Sequence, residues 1–245
     1  MKILATVVCV VGMLAGSASA QDAVQWRVQD GGNGHWYRAV YANPPRSPEA
    51  WFSWAASNGG YVATVTSAGE QAVIRSVGTQ AGQWTNPVLG GRRNTSNVFQ
   101  WITGEPWGFT GWAPNEPSCT CEKYLMLYEN GWNDTNTTAR PWAIVEYSAD
   151  CNNDGIVDFG QIRSGLMIDA NGNFVADCCE GAPRCFACPG DITGGGEVNG
   201  IDLAAVLGAW GTDGQGKFDC DIDDDGIVSG ADLATVLSAW GPCPN

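Results

Sequence analysis

Fourteen residues, Val198 to Gly211, recur thirty positions later as Val228 to Gly241, with ten identities. A repeat of this period is one small supersecondary unit used twice, and neither copy buries its apolar face alone. Each copy carries an apolar stripe at helical spacing: Leu203, Val206, Leu207 and Trp210 in the first, Leu233, Val236, Leu237 and Trp240 in the second. The spacing predicts two helices that bury these stripes against each other, as a core and not as a docking surface.

An acidic loop precedes each helix. A hard cation takes six to eight oxygens, and a short loop supplies them when oxygen-bearing side chains alternate and a glycine allows a sharp turn. In the second copy Asp221, Asp223 and Asp225 alternate, Gly226 follows, Ile227 offers its carbonyl, Ser229 acts through water and Asp232 closes the loop. This pattern predicts a calcium site. The first copy has Asp191, Thr193, Gly195, Gly196, Glu197, Asn199 and Asp202 in the equivalent places. Gly195 brings no side-chain oxygen, so the loop either binds weakly or serves packing.

Two further loops lie upstream. One runs through Asp150, Asn152, Asp154, Ile156 and Asp158, with Gly155 at the turn and Gln161, a poor closing ligand, at its twelfth position. The other runs through Asp169, Asn171, Asn173 and Asp177, with Phe174 where glycine is expected, which predicts a strained turn. From Asp150 to Asn245 there are 16 Asp/Glu against 3 Lys/Arg, a charge of −13, whereas the first 149 residues have 10 acids and 9 bases, or −1. Such a tail repels phosphates, which argues against nucleic acid and for divalent cations as the partner.

Tryptophan separates the halves in the opposite sense: ten of twelve lie between Trp26 and Trp142. That region reads as α+β. Trp36–Tyr41 is expected as a strand, Ser47 as a helix cap with Pro48 at the first position, and Gly59-Gly60 as the helix end. Ser67 and Glu70 form a capping box for a second helix. Beyond Ala81 the composition predicts long loops. Tyr124–Tyr128, Asn130-Gly131 and Trp132 read as a tight hairpin, and Trp142–Tyr147 as a closing strand.

Within this half, Glu116, Glu122, Asn133 and Asp134 are four oxygen-bearing groups, brought together by a proline-bearing loop and a hairpin. A calcium held there keeps open positions, which two adjacent sugar hydroxyls fill while bonding the same side chains. His35, the only histidine, stands beside a strand and is read as packing. A histidine-based triad and a histidine zinc cluster are thereby excluded. Glu105 and Glu116 as paired glycosidase acids are the weaker reading, and no catalytic residue is expected.

The segments Gly34–Tyr37, Gly59–Ser67, Trp112 to Pro117 and Trp132-Asn133-Asp134 resemble a C-type lectin domain, over about Trp26 to Tyr147. Gly90-Gly91 stands where that family has a Trp-Ile-Gly segment. The resemblance implies a fold of two helices, small antiparallel sheets and a long loop region. It also implies a shared calcium and sugar site at Glu116, Ser118, Glu122, Asn133 and Asp134. Glu-Pro-Asn in the family favours mannose-type hydroxyls; this chain has Glu116-Pro117-Ser118, with Glu116 matching and Ser118 shorter. The family's proline is usually cis. Its two usual disulfides are absent, because nothing between Gln21 and Cys119 can pair inside the domain; Cys119 and Cys121 bridge locally or pair elsewhere. A lectin-like domain that binds protein and no sugar is the alternative. The loops from Asp150 to Asp177 resemble thrombospondin type 3 repeats, which suggests pairing of Cys151 with Cys178 or Cys179. Asp191 to Gly241 resembles a dockerin type I module, which docks onto a protein partner.

The expected domains are therefore 1–20 as an export signal, 21–149 lectin-like, 150–187 EF-hand-like acidic loops and 188–245 the repeat pair. Lys2, the apolar run Ile3–Leu14 and the small residues Ala18-Ser19-Ala20 carry the signal, and the run is too short to span a bilayer. Ten cysteines, nine after cleavage, fit an oxidising extracellular compartment and leave one unpaired.

Overall fold

The structure, a computed structural model, describes residues 23–80, 86–182, 185, 188–214, 216, 218–223 and 225–243; the export signal expected at 1–20 lies outside them. The described chain is α+β. In chain order it has β1 (Ala23–Gln25), β2 (Trp36–Arg46), α1 (Pro48–Ala56), β3 (Tyr61–Val62), α2 (Ala68–Gln80), β4 (Val88–Arg93), β5 (Phe99–Trp101), β6 (Tyr124–Tyr128), β7 (Gly131–Thr135) and β8 (Arg140–Tyr147). Then follow α3 (Asp158–Arg163), β9 (Glu197–Val198), α4 (Gly200–Gly208), α5 (Gly230–Ser238) and β10 (Gly241–Pro242).

Instead of separate small sheets, eight strands join in the path β1-β2-β8-β4-β6-β7, with β3 on β8 and β5 on β4. One parallel pairing, Val88 with Ala143, links the two halves of that path, and the other pairings between these strands are antiparallel; an isolated parallel bridge joins Trp112 to Trp132 of β7. The stretch after Ala81, expected as loop, holds the β4–β5 hairpin. Its glycines concealed it: Gly90 crosses beside β3, where a Cβ would lie 2.3 Å from the Val62 carbonyl oxygen, and its N–H donates to Ala63 O at 2.8 Å. Side-chain patterning is lost where the backbone must approach this closely.

Ser47 caps α1 through the Ala50 N–H with Pro48 at the first position, as expected. The second capping box is half formed. Ser67 Oγ accepts from the Glu70 N–H, but Glu70 turns its carboxylate to the Thr66 N–H at 2.6 Å and the Tyr37 hydroxyl at 2.6 Å. Buried Glu70 thereby joins a polar network with Glu146, whose carboxylate meets Tyr37 Oη, the Thr64 N–H and His35 Nδ1, the last at 2.7 Å. His35 thus has a structural partner. Two apolar clusters flank the sheet: one with Ile74, Leu125, Leu127 and Trp132, the other with Trp51, Val88, Val145, Tyr147 and Phe159.

Phe159 belongs to α3, in the acidic-loop region. It stacks on Tyr147 with ring centroids 3.8 Å apart and meets Trp36 at 5.9 Å and Phe174 at 5.2 Å. Phe174 has φ 61°, the left-handed conformation expected from its place in the loop, and its own carbonyl crosses Gly59, where a Cβ would come within 2.3 Å. The aromatic contacts of Phe174 with Tyr147 and with the Arg38 guanidinium offset that strain. The first loop pair is therefore packed onto the eight-stranded sheet.

The repeat pair has its own core of Ile192, Val198, Val206, Cys220, Ile222, Val228 and Val236, with Leu203 and Leu233 packed against it. The expected stripes are only partly buried: Leu207, Trp210, Leu237 and Trp240 remain about half exposed. Each helix is nine residues long and ends before its tryptophan, so the tryptophans leave helical register, whereas Leu207 and Leu237 lie within the helices and are exposed there. Disulfides join Cys119 to Cys121, Cys151 to Cys179, Cys178 to Cys185 and Cys188 to Cys243; buried Cys220 is the free thiol among the described residues.

Candidate functional site

The hairpin β6–β7 carries Asn133 and Asp134, and the long loop before it carries Glu116 and Ser118. The two are fastened together around Trp132, which is fully buried and meets the edges or faces of Trp101, Trp107, Trp112 and Phe109. Trp132 N–H donates to Gly111 O at 2.7 Å and Ala113 N–H to Trp132 O at 2.9 Å. Gly131 permits this approach, since at φ 146° a Cβ would stand 2.5 Å from Ala113 N. The Glu116-Pro117 bond is cis, as the resemblance implied.

The five expected residues meet. Asn133 Nδ2 donates to Glu116 Oε1. Asp134 Oδ1 accepts from the Ser118 N–H at 2.9 Å and its hydroxyl at 3.3 Å, and that hydroxyl also lies 3.2 Å from Glu122 Oε2. Glu116 Oε2 is buried without a hydrogen-bond partner. Desolvation, then the facing Asp134 carboxylate, pushes the Glu116 carboxyl above its ordinary value. At Asp134 burial works in the same direction, but hydrogen bonds from Ser118, from the Glu116 carboxyl, from Arg93 and from Cys119 overcome it and hold the carboxyl below the ordinary range. The pair therefore keeps Asp134 ionised and leaves Glu116 short of a positive neighbour.

Sequence reasoning missed Arg93, at the end of β4. Its Nη2 donates to Asp134 Oδ2 at 3.2 Å and to Cys119 O at 3.3 Å, its Nε to Glu122 O at 2.8 Å and its Nη1 to Asn97 O at 3.0 Å. The guanidinium lies 4.3 Å from the Phe99 ring centroid, and the side chain is 9 % exposed against 0 % for Asp134. Forty-one residues separate the two partners, so no local pattern marks the pair. Calcium fits this donor set at the orphaned Glu116 oxygen, with Asn133, Ser118, Glu122 and Asp134 as companions. Glu105 accepts from the Thr64 and Thr103 hydroxyls, and among the described residues no hydrogen bond joins it to Glu116.

The four acidic loops share one backbone wrap. Asp150 accepts from the Asp154 and Gly155 N–H groups, Asp169 from Asn173 and Phe174, Asp191 from Gly195 and Gly196, and Asp221 from Asp225 and Gly226. A later aspartate in each loop also turns back on the backbone, at the ninth position in the first pair and the twelfth in the second: Asp158 accepts from Cys151 N, Asp177 from Ala170 N, Asp202 from Thr193 and Asn199 N, and Asp232 from Ile222 and Ser229 N. Only at Asp221, Asp223 and Asp225 do three carboxylates of one loop bring oxygens within 4.8 Å of one another among the described residues. Ile227 follows there, its N–H on Asp225. In the first loop Asn152 and Ile156 hydrogen-bond Asp154; burial, then Asp150 and Asp154, push buried Asp158 up to about 6. Gln161 donates to Asp154, while its Oε1 and Asp158 Oδ1 are buried without partners. In the second loop Glu180 accepts from Asn171 and Asn173, both at 2.9 Å. Glu180 occupies the twelfth position counted from Asp169, the place of a closing ligand.

No protein-family model matches the sequence, and no curated protein is similar to it. Solved structures with a similar chain path include human lithostathine, at 14 % identity over 53 % of this chain and 90 % of that one, TM-score 0.46. Another is the cow C-type carbohydrate-recognition domain of CD23, solved in the presence of an oligosaccharide, at 18 % identity over 49 % and 92 %, TM-score 0.42. A third is the C-type lectin CEL-I from Cucumaria echinata, at 22 % over 48 % and 93 %, TM-score 0.42. No helix among the described residues is long and apolar enough to cross a membrane.

Proposed function

We propose that this chain is a secreted, non-enzymatic, calcium-dependent carbohydrate-binding protein, with Glu116, Ser118, Glu122, Asn133 and Asp134 as the shared ion and sugar site. The observation that carries the reading is Glu116 Oε2: a buried carboxylate oxygen without a partner, facing a second carboxylate beside the cis-proline turn. An uncompensated buried oxygen is costly, and a divalent cation with free coordination positions is the group that compensates it. Calcium would supply the charge and open positions for two vicinal hydroxyls. The protein's own part is to fix Asn133 on Glu116 and to hold Ser118 and Asp134 in register. Glu116 favours a mannose-type arrangement. The four disulfides agree with an oxidising extracellular compartment.

The acidic loops are proposed as calcium sites of graded quality, with Asp221–Asp232 the best formed and the repeat pair as a means of attachment to a protein partner. Retention on a mannose matrix that EDTA abolishes, and that Glu116→Gln removes without unfolding the chain, is the expected result; retention indifferent to EDTA rejects the mechanism. One observation favours the alternative, a lectin-like module that contacts protein: Arg93 already supplies a cation to Asp134. Binding of a protein ligand with no glycan signal would select that reading.

A further inference from the structure

Arg93 stands apart from the other basic residues of the lectin-like half. Its four hydrogen bonds end on Asp134, on the backbone of Cys119 and Glu122 within the segment that follows Pro117, and on Asn97 in the β4–β5 turn. Its fifth contact is with the face of Phe99, which packs in turn against Trp107 and Trp112. A planar guanidinium with this many acceptors around it is a rigid multi-point tie, not a mobile surface charge. It is buried with Asp134, so the pair is screened little by solvent.

We propose that Arg93 is a positioning residue that acts as a tethered cation in the candidate sugar site. It keeps the Ser118–Glu122 segment and Asp134 formed without any divalent ion, and it competes with such an ion for Asp134. The proposal rests on the reading of this site given above, but it concerns a different limb. Asp134 is already matched by a fixed positive charge, whereas Glu116 Oε2 is not. Addition of calcium therefore orders chiefly the Glu116–Asn133 limb, and meets the Ser118–Asp134 limb already formed. Two like charges drawn to one carboxylate oppose each other, so the same arginine lowers the site's affinity for calcium.

The Ser118 N–H, which donates to Asp134 Oδ1, reports on the preformed limb. Its hydrogen exchange would be followed by NMR on the full chain, in EDTA and across a calcium titration, for the wild type, Arg93→Met and Arg93→Lys. The wild-type amide is expected to be equally protected in EDTA and in calcium, within about threefold. In Arg93→Met it should exchange at least about tenfold faster in EDTA and recover with calcium. Arg93→Lys, which keeps the charge but not the fork, should fall between the two. A residue that merely filled space would show neither recovery by calcium nor partial rescue by lysine. A wild-type amide that loses protection in EDTA overturns the proposal, and so does an Arg93→Met amide that stays protected there. If Arg93→Met does not fold, the wild-type and lysine arms still decide. Mannose retention is scored in parallel: its absence with a protected Ser118 sinks the lectin reading alone, and EDTA-sensitive retention with an unprotected wild-type Ser118 sinks the tethered cation alone.

Discussion

The two pairs of acidic loops share a backbone wrap and differ in where they send their apolar residues. The pair between Asp150 and Asp177 gives Phe159 and Phe174 to the sheet, against Tyr147 and Trp36. The pair between Asp191 and Asp232 sends Val206 and Val236 inward to a core of its own. A shared loop geometry thus says nothing about the mechanical role of the segment. The residues just outside the loop decide whether it is a clasp on a neighbour or half of a separate module.

Phe159→Ala tests this contrast most severely. Removing a fully packed phenylalanine costs about 3–5 kcal/mol, and the loss is expected in the unfolding of the lectin-like half, with the repeat pair unmoved. Equal losses in both would break the contrast. Val206→Ala and Val236→Ala should each cost about 2 kcal/mol, in the repeat pair only, and by matching amounts because the two valines occupy repeated places at 0 % exposure. Unequal losses would show that the repeat is not a structural one. Within that pair, Asp221→Asn should weaken one calcium site by about tenfold or more in a calorimetric titration. Asp191→Asn should change the titration far less, since Thr193 and Gly195 bring no carboxylate.

The smallest expected effect lies at Glu146, in the sheet itself. Burial raises its carboxyl above the ordinary value, against the pull of His35. A carboxyl raised on folding favours the native state while protonated, and that contribution is lost as pH rises through its folded value. Glu146→Gln should therefore flatten the pH dependence of the lectin-like half above the ordinary carboxylate pKa. An unchanged slope would assign that dependence to other groups.

Much of this architecture was legible in the sequence where a signal is local. The Ser47–Pro48 helix start, the β6–β7 hairpin and the internal repeat each occupy a few contiguous residues, and each was found where expected. The meeting of Glu116 with Asn133 was legible through the resemblance, because the tryptophan that joins the loop to the hairpin stands beside Asn133 in the chain. What escaped was set by distant partners. Nothing near Arg93 announces Asp134, nothing near Phe159 announces Tyr147 and Trp36, and the β4–β5 hairpin is disguised by glycines that close packing demands. The exposed Trp210 and Trp240 escaped for a simpler reason: periodicity was continued past the point where the helices stop.

The bridge between Cys188 and Cys243 closes a ring of chain 55 residues around, with both repeats inside it. By the chain-entropy estimate such a ring removes about 4 kcal/mol worth of freedom from the unfolded chain. An ion held as proposed by the Asp221 loop would, on leaving, loosen a few residues within a circle that is already shut. The module would give up such a metal and take it back while its two ends remain in hand.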